Sequence, residues 1–172
     1  MKQDGAIDIF DPDLLVEEPR SEVLFGVNDS DSNAPAKELR RAYTTTTNGD
    51  ASWNAIVHNA SHRNLQFVPV DHNVDMDALC DGILYECVTN AQFIFVELKG
   101  SRKDWIQQGV EQLKRTINAS MGSIKSIGFT RCEAYLCNNR HPHFAYSHKE
   151  VMQRFRNETS VRLYIQQAIT VV

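Results

Sequence analysis

No run of apolar residues in this sequence approaches the roughly 20 that a bilayer-spanning helix needs. The opening Met1-Lys2-Gln3-Asp4-Gly5 lacks the charged-then-apolar layout of a secretory leader. Only four cysteines are present, Cys80, Cys87, Cys132 and Cys137, and they do not form the pattern of a disulfide framework. With no export signal they are expected as reduced thiols in a cytoplasm. The chain has no internal repeat, no low-complexity tract, no zinc finger and no helix-turn-helix. These absences argue against an integral membrane protein, a disulfide-stapled secreted domain and a sequence-reading DNA-binding module. What is left is a soluble chain whose 172 residues suffice for one domain with a real core.

The hydrophobic share of 42% and charged share of 23% are ordinary for such a domain. The net charge of −4 hides an asymmetry. Residues 1–98 carry 6 Lys and Arg against 17 Asp and Glu, whereas residues 99–172 carry 12 against 5. A basic second half permits contact with nucleic acid on one side of the molecule.

Residues 1–33 are acidic and interrupted by Pro12 and Pro19. They are expected as an extended arm outside the core, free to dock on the basic half, a second copy or a partner protein. Residues 34–172 then make the α/β domain. Pro35 suits the first turn of a helix over 34–43, with Asn33 placed to cap it. Ser52 opens a second short helix to about Asn59. Strands are expected over 65–70, held near an edge by Pro69, over 82–88, and over 93–99. The last two form a hairpin that turns at Thr89-Asn90-Ala91. A helix over 104–119, capped by Asp104, presents Ile106, Val110, Leu113 and Ile117 on one face, and Met121-Gly122-Ser123 ends it. A strand over 127–137, a helix opened by Ser147 or His148, and a β-rich segment over 161–172 complete an α/β order with a mixed sheet.

The chain is organised around Phe93-Ile94-Phe95-Val96-Glu97-Leu98-Lys99-Gly100. Four consecutive apolar residues read as a buried strand. Side chains two apart share a face, so Glu97 and Lys99 point the same way from the end of a rigid element. Charges buried there are costly unless they pair or bind something. Asp81 stands where the preceding strand begins. A hairpin loop of odd length, 89–91 or 88–92, sets Asp81 opposite Lys99 and Ile83 opposite Glu97, with all three charged groups on one face. A two-residue loop at Thr89-Asn90 sets Asp81 opposite Leu98 and disperses them. The odd loop is the expectation. Taken singly, Glu97 and Lys99 read as a solvated ion pair and Asp81-Gly82 as a turn. Together, two carboxylates make a hard-oxygen site for Mg²⁺, beside a lysine that can hold the attacking water.

Asp81, followed 16 residues later by Glu97-Leu98-Lys99 in a hairpin that leads into a helix, resembles the PD-(D/E)xK nuclease superfamily. Cys80 stands where that motif usually has proline. The string Phe95-Val96-Glu97-Leu98-Lys99-Gly100, with Glu111-Gln112-Leu113 downstream, is similar to small prokaryotic members with a Glu-Leu-Lys-Gly motif. The resemblance implies an αβββαβ restriction-endonuclease-like core with a mixed central sheet flanked by helices. It implies Asp81 and Glu97 as ligands of Mg²⁺ or Mn²⁺, the Leu98 carbonyl as a third, Lys99 beside the water, and a helix glutamine near the site. Gln107 and Gln112 both flank the helix stripe. Gln112 is the choice because it shares its flank with Trp105, Gly109 and Thr116. Glu38, the single glutamate available to a first helix, is not expected to take part.

Arg102, Lys103, Lys114 and Arg115, with Lys125 and Arg131 beyond, fit a rim that contacts phosphates. The function implied is metal-dependent hydrolysis of phosphodiester bonds, with DNA the expected substrate and restriction, phage defence or repair the implied setting. A homo-oligomer is expected, since homodimers are the commonest assemblies. The competing reading is a catalytically silent nuclease-like subunit that binds a partner or nucleic acid. A zinc site at Cys132, Cys137, His141 and His143 is disfavoured, because cysteines five apart on a strand face opposite ways.

Overall fold

Alternation of side chains along the Phe93–Leu98 run sorts the molecule into three layers. The computed structural model describes residues 5–30, 36–47, 49–100, 104–140 and 148–172. In chain order the strands and α-helices are β1 (Leu24–Asn28), β2 (Tyr43–Thr45), β3 (Ala55–His58), β4 (Leu65–Pro69), β5 (Gly82–Glu86), β6 (Gln92–Lys99), α1 (Trp105–Ile127), β7 (Arg131–Asn138), α2 (Lys149–Thr159), β8 (Arg162–Ile165) and β9 (Ala168–Thr170). A five-stranded sheet has the order β4-β5-β6-β7-β8, and a four-stranded sheet the order β2-β1-β3-β9. Both are mixed: β4-β5-β6 is antiparallel and β6-β7-β8 parallel, while β3-β9 is the parallel pair of the small sheet.

Phe93 and Phe95 of β6 pack with Leu113, Ile117 and Ile124 of α1 and Phe155 of α2. Ile94, Val96 and Leu98 pack with Phe25, Val27, Ala55, Val57 and Ile169 of the small sheet. The order of layers is therefore helices, large sheet, small sheet. A strand covered on both faces needs an unbroken apolar run, which is what Phe93–Val96 supplies. Among the described residues no helix is long and apolar enough to cross a membrane.

The amino-terminal segment departs most from expectation. The stretch read as an arm outside the core contributes Ile7 and Ile9, both buried, and then β1, a central strand of the small sheet. The Ile7 amide donates to the Ala119 carbonyl of α1 at 2.8 Å, which anchors this stretch to the helix layer. The acidic residues lie between the buried ones. Average composition therefore concealed an alternation that a sheet can use. The helix expected over 34–43 is a short 3₁₀ turn at Lys37–Arg40 that runs into β2. Asn33 and Pro35 lie outside the described residues. The helix expected from Ser52 is a 3₁₀ turn, Asp50–Ser52, followed by β3. Ile56 and Val57 have the β-branched character of a strand, and pairing with β1 overrides the capping signal.

α1 runs to Ile127 rather than stopping near Ala119. Gly122 does not end it, because buried Ile124 holds the last turns on the core, while Ser120, Ser123 and Ser126 turn their hydroxyls back to carbonyls within the helix instead of capping a stop. Gly128, at φ 82°, ends it in the left-handed conformation. Asp104 stands at the start, but its side chain makes no capping hydrogen bond. The strand expected from residue 127 begins at Arg131. Cys132 and Cys137 pack into opposite cores, on the two faces of the large sheet.

The hairpin loop is odd in length, as expected, and as long as the longer of the two expected forms, but it is displaced by one residue toward the amino terminus. It spans residues 87–91, and Ile83 pairs with Phe95 rather than Glu97. The Glu86 carboxylate organises it by accepting from the amides of Val88, Thr89 and Ala91 and from the Thr89 hydroxyl, at 2.6 to 3.3 Å. These bonds hold the Glu86 pKa below the usual value although burial opposes them. Parity is preserved, so the register shift of two leaves every side chain on its expected face. Continued one pair beyond Gly82–Val96, the register sets Asp81 beside Glu97.

Candidate active site

Glu97 is the next-to-last side chain of β6 on the face that packs against α1, and it is almost wholly buried at 1% exposure. Its Oε1 lies 3.0 Å from Lys99 Nζ. Its Oε2 is also buried and has no hydrogen-bond partner in the structure. The Asp81 carboxyl adjoins it, and Asp81 Oδ2 accepts a 2.6 Å bond from the Leu98 amide. Burial, with the Asp81 charge next in size, raises the Glu97 pKa well above the usual range despite Lys99. Asp81 is pushed up to about 7, by burial first and by Asp29 second. Two carboxylates that resist ionising together, with a buried oxygen that meets no donor, suit a proton or a cation between them.

α1 supplies the back wall. Lys99 Nζ donates to Gln112 Oε1 at 2.5 Å, and Gln112 Nε2 donates to the Leu79 carbonyl at 3.3 Å. One turn on, the buried Thr116 hydroxyl accepts from the Cys80 amide at 2.8 Å. Gln112 and Thr116 thus fix both Lys99 and the backbone that leads into Asp81. Gly109 makes this approach possible, because a Cβ there would stand 2.4 Å from Leu136 Cδ1 of β7. Gln107 and Gln108 are exposed. The thiols of Cys80 and Cys137 are pushed up by burial, with Glu97 and Asp81 adding to it, and so stay neutral.

Asp81, Glu97, Lys99 and Gln112 are therefore brought together. The Leu98 backbone belongs with them: residues of a strand direct N–H and C=O to the same edge, so its carbonyl faces the Asp81 side. The rim is not assembled in the same way. Lys114 lies 2.5 Å from Glu158 of α2 and 3.3 Å from Glu111, so two carboxylates engage it. Arg115 is exposed. Arg102, Lys103, His141 and His143 lie outside the described residues, as does the side chain of Glu38.

Sequence reasoning missed Asp29 and Asp71. Asp29 follows β1, and Asp71 opens the connection between β4 and β5. Both raise the Asp81 pKa, and Asp71 lies 3.3 Å from His72 Nε2. His72 has a left-handed backbone, φ 61°, and its carbonyl accepts from Arg41 Nε at 3.1 Å. No spacing in the sequence links Asp29 to Asp81, because only the stacking of the two sheets brings them near. Among the described residues no three His, Cys, Asp or Glu side chains form a ready metal cage.

Comparison with family models, with curated proteins and with solved structures yields no match. The site and the mixed α/β fold with two mixed sheets therefore stand on their own geometry.

Proposed function

We propose that the protein is a metal-dependent nuclease of the PD-(D/E)xK type, hydrolysing phosphodiester bonds of DNA with Mg²⁺ or Mn²⁺. The observation that carries the reading is the convergence of Asp81, Glu97 and Lys99 on one face of the β5–β6 hairpin, with Glu97 Oε2 buried and unpartnered. The run β4-β5-β6-α1-β7 supports it, since that is the order expected of an αβββαβ core after its first helix. In place of that helix, the described residues before β4 hold the small sheet.

The donor set fits a hard divalent cation: the Asp81 and Glu97 carboxylates, and the Leu98 carbonyl on the same edge, with water and phosphate oxygens completing the shell. Held by these residues, a cation would supply charge to offset the phosphate and would lower the pKa of a water. Lys99, fixed by Glu97 and Gln112, would position a water for attack on phosphorus and compensate the charge that develops. Gln112 keeps the ammonium aimed, and Thr116 holds Cys80 so that Asp81 stays in place. A cytoplasmic enzyme of restriction, phage defence or repair is the setting that accords with this chemistry, acting as a homo-oligomer or beside a targeting partner.

The test is incubation of the pure protein with plasmid, linear duplex and single-stranded DNA, with Mg²⁺, with Mn²⁺ and with chelator. Cleavage by wild type with either metal, lost in Glu97→Ala and Lys99→Ala, is the expected result. Equal cleavage by wild type and both variants would trace the activity to a contaminant. No cleavage under any condition would leave the silent-subunit reading in its place.

A further inference from the structure

The two sheets have four outer edges, and three are covered. On β4, Arg20 and Leu65 exchange backbone hydrogen bonds of 2.9 Å in both directions. On β2, the outward Thr44 amide donates to Glu17 Oε2 at 3.0 Å. Beyond β9, Gln92 accepts from the Val172 amide at 3.0 Å and donates to the Thr170 carbonyl at 3.2 Å. The edge of β8 is different. The Gln166 amide bonds inward to Leu136, so by alternation the amides and carbonyls of Leu163 and Ile165 face outward. Among the described residues no strand pairs with that side.

A groove of about 560 Å³ runs along this edge between β8 and α2. Lys149 and Arg156 line it from the helix, with Met152 and Leu163 as its apolar floor and no carboxylate among its lining residues, while Arg162 borders it from the other face of the sheet, its guanidinium stacked on the Tyr164 ring at 4.9 Å. We propose that β8 is a docking edge for an extended, acidic segment of a partner protein, which adds as a sixth strand to the large sheet with its carboxylates on the helix face beside Lys149 and Arg156, and with Arg162 adding positive charge from the other face.

The chemistry selects this occupant over two others. Positive charges on an edge guard against pairing with a second copy, which would bring Arg162 and Arg156 against their own kind. They favour an acidic strand for the same reason. A nucleic-acid backbone answers the cations but offers phosphate acceptors only, leaving the Leu163 and Ile165 carbonyls without donors. A peptide satisfies amides and carbonyls alike. β8 is two strands from β6, so docking leaves the Asp81–Glu97–Lys99 face open, and the inference does not depend on the nuclease reading.

The test uses the full chain and a capped peptide of about ten residues alternating Glu and Val, a usual strand length. A Lys-Val counterpart and a single-stranded oligonucleotide of similar length serve as the other arms. Fluorescence polarisation reads affinity, and amide hydrogen exchange reads location. The Glu-Val peptide is expected to bind at least about tenfold tighter than the Lys-Val peptide and to slow exchange at Leu163 and Ile165. Backbone N-methylation on one edge of the peptide abolishes binding, and methylation on the other leaves it. Arg156→Glu with Arg162→Glu, both exposed positions, reverses the preference. No peptide binding up to millimolar concentration, or binding without protection of those two amides, overturns the proposal. Oligonucleotide binding that protects the same amides replaces it with a nucleic-acid surface. Dimerisation through the edge, seen in sedimentation and abolished by the double variant, replaces it with self-assembly.

Discussion

The Leu98 amide donates to Asp81 Oδ2 at 2.6 Å, so a side chain closes the β5–β6 ladder where a backbone carbonyl would otherwise stand. Asp81 is thus a structural acceptor as well as a candidate ligand, and its two roles separate on mutation. Asp81→Ala leaves the Leu98 amide without that acceptor, a loss of about 1–3 kcal/mol set against relief of repulsion with Glu97. Glu97→Gln removes the repulsion and supplies a donor. In chelator, Glu97→Gln is expected to melt above wild type and Asp81→Ala no higher than it. Mn²⁺ is expected to raise the melting temperature of wild type, and both variants should lose that rise.

Stability without metal should fall as pH rises. Asp81, pushed up to about 7 from an ordinary value near 3.8, and Glu97, raised in the same direction, bind protons more tightly folded than unfolded. Their contribution is complete below the unfolded values. For Asp81 it is lost between about pH 4 and pH 7. Denaturant midpoints in chelator at acid and mildly alkaline pH, compared with an Asp81→Asn/Glu97→Gln double variant, isolate the effect. A wild type that follows the same pH curve as the double variant would contradict it. Adding Mg²⁺ above pH 7 should recover the lost stability.

Lys99 and Gln112 should separate water activation from metal binding. Lys99→Ala is expected to lower kcat about a hundred- to a thousandfold, the scale of a lost charge-stabilising donor. Gln112→Ala, which frees the ammonium from one of its two holds, is expected to lower it about ten- to a hundredfold. Titration calorimetry with Mn²⁺ should find both variants binding the metal. Loss of binding in Gln112→Ala would show that the glutamine supports the cation site rather than the lysine.

Gly109→Ala tests how closely helix and sheet must approach. The new methyl group would stand 2.4 Å from Leu136 Cδ1, in a core where Leu136 is fully buried. Overpacking of this kind costs about 1–3 kcal/mol. Because α1 carries Gln112, the helix displacement should also lower kcat, and a variant unchanged in both stability and kcat would refute the close approach.

The salt dependence of DNA binding should separate Lys114 from Arg115. Lys114 is engaged by Glu111 and Glu158, whereas Arg115 is exposed. Arg115→Ala is expected to reduce the slope of log affinity against log salt by about one, and Lys114→Ala by little. Equal reductions would mean that DNA pulls Lys114 from its partners.

The hairpin site was legible because it depends on parity. Any odd loop puts Asp81 and Glu97 on one face, so the placement survived a register shift of two that accompanies the bonds from the loop to Glu86 at the end of β5. Gln112 was legible for a similar reason, since a helical wheel fixes relative angles whatever the helix length. The small sheet was not. Phe25 and Val27 sit among acidic neighbours, and their partners Val57 and Ala55 lie across intervening elements in β3, which pairs in turn with the distant β9, so no local period announces them. Asp29 and Asp71 share that limit. The end of α1 was misread because serines that return their hydroxyls to the helix look, in sequence, like a stop.

The pairing of β3 with β9 sets the order in which the molecule can assemble. It joins Ile56 to Ala168, across 112 positions, whereas the β5–β6 hairpin closes over five loop residues. Loop closure is an entropic debt met before such a contact returns anything, so the hairpin is placed to form early and the small sheet late. Asp81 and Glu97 then meet while the Asp29 side of the site is still open to water. On that order, repulsion between them is expected to be screened by water until the small sheet covers the site. A divalent cation should therefore slow unfolding more than it speeds the first collapse.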